Sequence, residues 1–126
     1  MSDEQRTPAE KTQEATIARL KAVATPWFKF FFLHDPATSL RRVTCPVLGL
    51  YGELDLQVDP DQNLGVARLA LQAGGNMDVT LVEFPKLNHL FQTAQTGLPG
   101  EYGVIEETIA PDALDLIRDW IVERTS

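Results

Sequence analysis

Apolar residues recur along this chain in two rhythms, and each change of rhythm marks a predicted element. Met1 to Arg6 are polar, a frayed start. Thr7-Pro8-Ala9-Glu10 then carries a helix-start signal, with a threonine cap, proline in the first turn and a glutamate placed to return a capping-box bond. Ile17, Leu20, Val23 and Ala24 fall at helical spacing in an otherwise polar stretch, which predicts a surface helix packing one face on its own domain. Thr25-Pro26 restarts the chain into Trp27-Phe28-Lys29-Phe30-Phe31-Phe32-Leu33, its densest apolar segment. At helical spacing these side chains surround the whole axis. The expectation is a buried helix for most of them, with the remainder forming an oligomer contact or lining an acyl pocket. His34-Asp35-Pro36 ends that helix, because proline disfavours the helical region in the residue before it.

From Val47 to Tyr51 the rhythm changes to a short continuous apolar run, opened by Cys45-Pro46 and closed by Gly52. That pattern predicts a strand buried on both faces. Val58-Asp59-Pro60 is a turn into a helix over 62–73, whose face of Leu64, Val66, Ala67, Ala70 and Leu71 suits packing on a sheet, and Gly74-Gly75-Asn76 caps it. A second run, Val79-Thr80-Leu81-Val82-Glu83-Phe84, completes a βαβ unit, for which the right-handed parallel form is expected. Residues 92–110 read as a long loop placed to close over His89, since unstructured loops of that length commonly cover a site. Pro111 starts a last helix with Leu114, Leu116, Ile117, Trp120 and Ile121 as its buried face.

The length of 126 residues allows one domain, divided into an N-terminal helix (1–24), an aromatic helical segment (25–42) and a βαβα core (43–126). A net charge of −7 argues against nucleic acid or an anionic membrane as partner, both of which require clustered Lys and Arg; Arg41 and Arg42 read as a solvated pair. No apolar run approaches bilayer length, the single cysteine excludes an internal disulfide, and the N-terminus has no basic-then-apolar signal pattern, so a cytoplasmic location is the default expectation.

The chemistry gathers behind the two strands. Asp55 follows the first run in Gly52-Glu53-Leu54-Asp55, and His89 follows the second in Pro85-Lys86-Leu87-Asn88-His89. In an open parallel sheet, groups that follow the strands project from one edge, where ligands and catalytic residues collect. Taken alone, the first segment is a turn and the second a structural histidine; in register, they form an acid–base pair. Glu53 and Asp59 are runner-up acids, and His34 is a surface or helix-terminus histidine. Gly52-x-x-Asp55 and Asn88-His89, with a helix between them and a closing helix ending in Asp119-Trp120-Ile121, resemble the C-terminal part of an α/β-hydrolase over about residues 26–121. The resemblance is to the esterase, lipase and serine-peptidase branches. It implies an α/β fold, a three-layer αβα fragment with a short parallel sheet plus the N-terminal helices. It also implies ester or amide hydrolysis without a cofactor, with Asp55 and His89 as the acid and base of a Ser-His-Asp triad.

The nucleophile of that triad is not in this sequence. Ser2, Ser39 and Ser126 are its only serines, and none lies in a Gly-x-Ser-x-Gly elbow; Cys45 precedes the first strand, at the opposite end from Asp55, and reads as a small buried residue. Two histidines and one cysteine at unrelated spacings do not make a zinc site, and no Walker or dinucleotide glycine loop occurs. The chain alone is therefore expected to be inactive, vestigial or completed by an N-terminal hydrolase half. The alternative is a non-catalytic interaction module that kept the fold. An open sheet edge further predicts a homodimer through the Val47 to Tyr51 strand and the Trp27 to Leu33 segment.

Overall fold

The computed structural model describes residues 8–126, so Thr7 and the stretch before it lie outside the described residues, as do the side chains of Glu10 and Val23. The chain divides into two compact units, with the boundary between Asp35 and Pro36, within the His34-Asp35-Pro36 stretch expected to end the aromatic helix. Helices α1 (Pro8–Val23) and α2 (Pro26–Leu33) belong to the first unit. Thr25 caps α2, its hydroxyl accepting from the Phe28 amide at 3.3 Å, and proline occupies the first turn. The expected burial of the aromatic segment is not observed. Trp27, Phe30, Phe31, Phe32 and Leu33 are all exposed, although Trp27 stacks on Phe31 with ring centroids 5.6 Å apart. An eight-residue helix in which every residue but Lys29 is apolar has more apolar surface than one neighbouring helix covers. Ile17, Leu20 and Ala24, the described part of the stripe expected for the first helix, are exposed as well.

The second unit contains a short helix, α3 (Pro36–Leu40), and then strand β1 (Val47–Gly52), helix α4 (Pro60–Ala73), strand β2 (Val79–Phe84), a single 3-10 turn (Pro99–Glu101) and helix α5 (Pro111–Thr125). This is a mixed α/β arrangement in which β1 and β2 pair in parallel as a two-stranded sheet. The register runs from Val47 beside Val79 to Gly52 beside Phe84, so both strands end level. The turns that follow them therefore leave from one edge, which brings Asp55 and His89 within reach.

α4 begins two residues before the expected start because Asp59 accepts from the Asp61 amide at 2.9 Å and Pro60 fills the first turn. Ala67, Ala70 and Leu71 are buried along α4, whereas Val66 is exposed, outside the narrower face that a two-stranded sheet covers. Asn76, itself buried, donates to the carbonyls of Val43 and Cys45 and accepts from the Asp78 amide, which ties the entries of both strands together. Arg124 of α5 pairs with Asp78 at 2.6 Å and lies over the Trp120 ring.

Three further expectations are corrected by the same small sheet. β1 is half-buried up to Tyr51, not covered on both faces, since α4 is the helix that packs against it. Cys45 is exposed, because it precedes the paired residues. On α5 the buried residue is Ala113, while Leu114 and Ile121 are exposed and Leu116, Ile117 and Trp120 are half-buried. Ala113 joins Leu87 and Ala110 in a cluster flanked by Phe84 and Phe91, directly beneath the loop that carries His89. Among the described residues, no helix is long and apolar enough to cross a membrane.

Candidate active site

The two turns after the strands are joined through their backbones. The Glu53 amide donates to Phe84 O and the Leu54 amide to Leu87 O, both at 2.9 Å. Gly52 makes this approach sterically feasible, since a Cβ on it would lie 2.4 Å from Leu87 O. Glu53 adds a side-chain link, its Oε2 accepting from the Lys86 amide at 2.8 Å. Of the two runner-up acids, Glu53 is thus a staple between turns and Asp59 a helix cap, and the imidazole bonds to neither.

Asp55 is the partner of His89. Nδ1 of the imidazole lies 2.9 Å from Oδ2 and 3.0 Å from Oδ1, and the carboxylate is buried while the ring is about one-third exposed. A carboxylate only accepts, so Nδ1 carries the proton and donates it to Asp55, leaving Nε2 with its lone pair. Oδ1 also accepts from the amides of Gln57 and Val58 at 2.9 Å each, which fixes the carboxylate plane.

Burial is the largest single influence on the Asp55 carboxyl and pushes its pKa up. It is outweighed by the Val58 amide, the His89 hydrogen bond, the Gln57 amide and the imidazolium charge, and the net shift is downward. A carboxylate with a depressed folded pKa stabilises the fold above its unfolded value of about 3.9, and that contribution is lost as pH falls through the folded value. Urea midpoints followed from neutral pH downward should therefore fall more steeply below about pH 4 in the native chain than in Asp55→Asn. Equal slopes would mean that this carboxylate makes no differential contribution.

The loop over 92–110 is ordered around its acidic residues, which motif reading did not single out. The Glu101 carboxylate accepts from the Gln95, Thr96 and Gly97 amides, and Glu107 from the Thr93 amide. Partial desolvation raises the Glu101 pKa, but the amides of Thr96, Gly97 and Gln95 carry it below the ordinary carboxylate range. Gly97, at φ 76°, comes so near Leu54 O that a Cβ would stand 2.0 Å away, and Tyr102 accepts a hydrogen bond from the Gln57 side chain at 3.0 Å. The loop therefore packs on the Asp55 turn.

Ser39 lies in α3, Ser126 closes α5 with its hydroxyl on Val122 O, and Ser2 is outside the described residues. Fold and site together define a mixed α/β protein with an Asp–His pair at the C-terminal edge of a parallel strand pair. Compared with family models, curated proteins and solved structures, the chain matches none.

Proposed function

We propose that this chain supplies the acid and the base of an α/β-hydrolase-like serine hydrolase, whose nucleophile elbow and oxyanion hole lie in residues outside this sequence. The observation that carries the reading is the bond from His89 Nδ1 to the buried Asp55 carboxylate, across turns that follow adjacent parallel strands. In the completed site, His89 Nε2 takes the proton of the serine hydroxyl as that oxygen attacks an ester or amide carbonyl. It then returns the proton to the leaving group, while Asp55 holds the tautomer and stabilises the imidazolium. The two strands and their helices form part of a three-layer αβα sheet that the rest of the hydrolase extends. No cofactor enters this chemistry.

The outer edges of β1 and β2 are unpaired among the described residues, and this supports a second reading. The chain is then a non-catalytic module that closes its open β1 edge, residues 47–51, against a second copy, with the exposed aromatic face of α2 as a further contact surface.

One experiment separates the two readings. Hydrolysis of a short-chain chromogenic ester is measured for the chain alone and with an elbow-bearing α/β-hydrolase half, His89→Ala being run beside each. Equal background rates for the two lone chains, and activity on mixing that His89→Ala abolishes, are expected from the hydrolase reading. A silent mixture together with a dimer in light scattering supports the module. Activity of the lone chain that His89→Ala removes would overturn the assignment of the nucleophile to residues elsewhere.

A further inference from the structure

The residue before the histidine organises the whole loop that carries it. Asn88 is completely buried, one of the two largest fully buried side chains among the described residues. Its Oδ1 accepts from the Leu90 amide and the Gln92 amide, both at 3.0 Å, and its Nδ2 donates to Gln92 Oε1 at 3.0 Å. Its backbone closes the same loop, with the Asn88 amide donating to Gln92 O and its carbonyl accepting from the Phe91 amide. Gln92 passes the restraint on, its Nε2 donating to Glu107 O at 3.1 Å.

His89 is the central residue of an Asx turn, closed from Asn88 Oδ1 to the Leu90 amide, nested inside a β-turn closed from Asn88 O to the Phe91 amide. Both turns hinge on one residue. Phe91 completes the reversal at φ 58°, a left-handed conformation that costs about 1–2 kcal/mol in a non-glycine residue and persists only where its surroundings over-determine it.

We propose that Asn88 is a positioning residue that sets the tautomer and orientation of His89. Resting on the hydrolase reading, the inference concerns how that site is built. The imidazole is about one-third exposed and its ring hydrogen-bonds to Asp55, a contact that is made only while the backbone aims the ring at the carboxylate. What directs its Cα–Cβ bond toward the carboxylate is the backbone of residues 88–92, and the Asn88 amide group occupies the centre of that backbone. Without Oδ1, the Leu90 and Gln92 amides lose their acceptor, the nested turns open, and Nδ1 no longer meets Asp55. The imidazole then reverts to the Nε2–H form that predominates in free histidine, which cannot accept the serine proton at Nε2.

The test is a two-bond proton–nitrogen NMR correlation on the isotope-labelled chain, with the His34 signals assigned through His34→Gln. The native chain should show His89 as the Nδ1–H tautomer. Asn88→Ala should lose that pattern and gain the Nε2–H pattern, while the amide signals of β1 and β2 keep their positions. An unchanged Nδ1–H pattern in a folded Asn88→Ala overturns the proposal and leaves the Asp–His pair standing. Absence of the Nδ1–H pattern from the native chain overturns the pair itself, and the proposal with it. Should Asn88→Ala fail to fold, Asn88→Ser is read in the same way, since its single shorter acceptor cannot reach both amides: a partial loss of the Nδ1–H pattern supports the proposal and native behaviour refutes it.

Discussion

On the hydrolase reading proposed above, Asp55→Asn should lower kcat of the completed site about 10⁴-fold while changing KM little, the scale found when a triad carboxylate becomes an amide of the same shape. The reason lies in how Asp55 is held. Gln57 and Val58 both donate backbone amides to Oδ1, so the carbonyl oxygen of an asparagine is kept on that side. The NH₂ group then takes the place of Oδ2, 2.9 Å from Nδ1 of His89, while the oxygen left 3.0 Å from Nδ1 already accepts from two amides. An NH₂ donates, so Nδ1 must accept, the proton moves to Nε2, and the base presents a hydrogen where it needs a lone pair. The loss should appear in kcat, because the restraint acts on proton transfer and not on substrate binding. A fall of less than about tenfold would show that the carboxylate does not set the tautomer.

Gly52→Ala should cost about 2–4 kcal/mol of stability, near the top of the range for single substitutions. The added methyl would stand 2.4 Å from Leu87 O and 2.9 Å from Asn88 O, and both are backbone atoms that cannot rotate away. Relief requires the β2 turn to move off the β1 turn, which breaks the Leu54 amide bond to Leu87 O and draws His89 from Asp55. Stability and pair geometry should fail together, read as a lower urea midpoint and the loss of the Nδ1–H tautomer in one variant. Gly65→Ala is the control. A Cβ there meets nothing within 4 Å, and in the helix interior of α4 it should add about 0.5–1 kcal/mol. A Gly52→Ala chain as stable as the native one would remove the close approach as a determinant of the site.

Much of the second unit was legible because its signals are local. Pro60 and Pro111 each stand in a first helical turn, and two apolar runs of strand length enclose a helix whose small residues Ala67 and Ala70 face inward. The Asp55–His89 pair was legible for the same reason, as each residue follows its own strand by a few residues. Their partners were not. Glu53 is indistinguishable in sequence from a surface carboxylate until Lys86 is folded beside it, and Gln92, Glu101 and Glu107 act through amides of the long loop that no spacing rule connects. Asn88 stood in the motif, but only its burial separates a loop organiser from an ordinary turn asparagine.

Burial was the property least legible. Trp27, Phe31, Val66, Leu114 and Ile121 are apolar residues at positions that the helical pattern assigns to a core, yet they are exposed. Hydrophobic periodicity reports which face of an element favours company, whereas the tertiary structure decides whether a neighbour occupies it. By itself, the sequence determined the order of α1, α2, β1, α4, β2 and α5, though not the short helix α3 or the 3-10 turn, together with the parallel βαβ unit and the placement of Asp55 and His89 behind successive strands. Only the folded chain decided that the strands end level, that Gly52 lets the two turns touch, and that Asp55, rather than Glu53 or Asp59, meets the imidazole. Hydrogen bonding acts over about 3 Å, and contacts of that range between residues 34 apart are set by register and close packing, which no local pattern encodes.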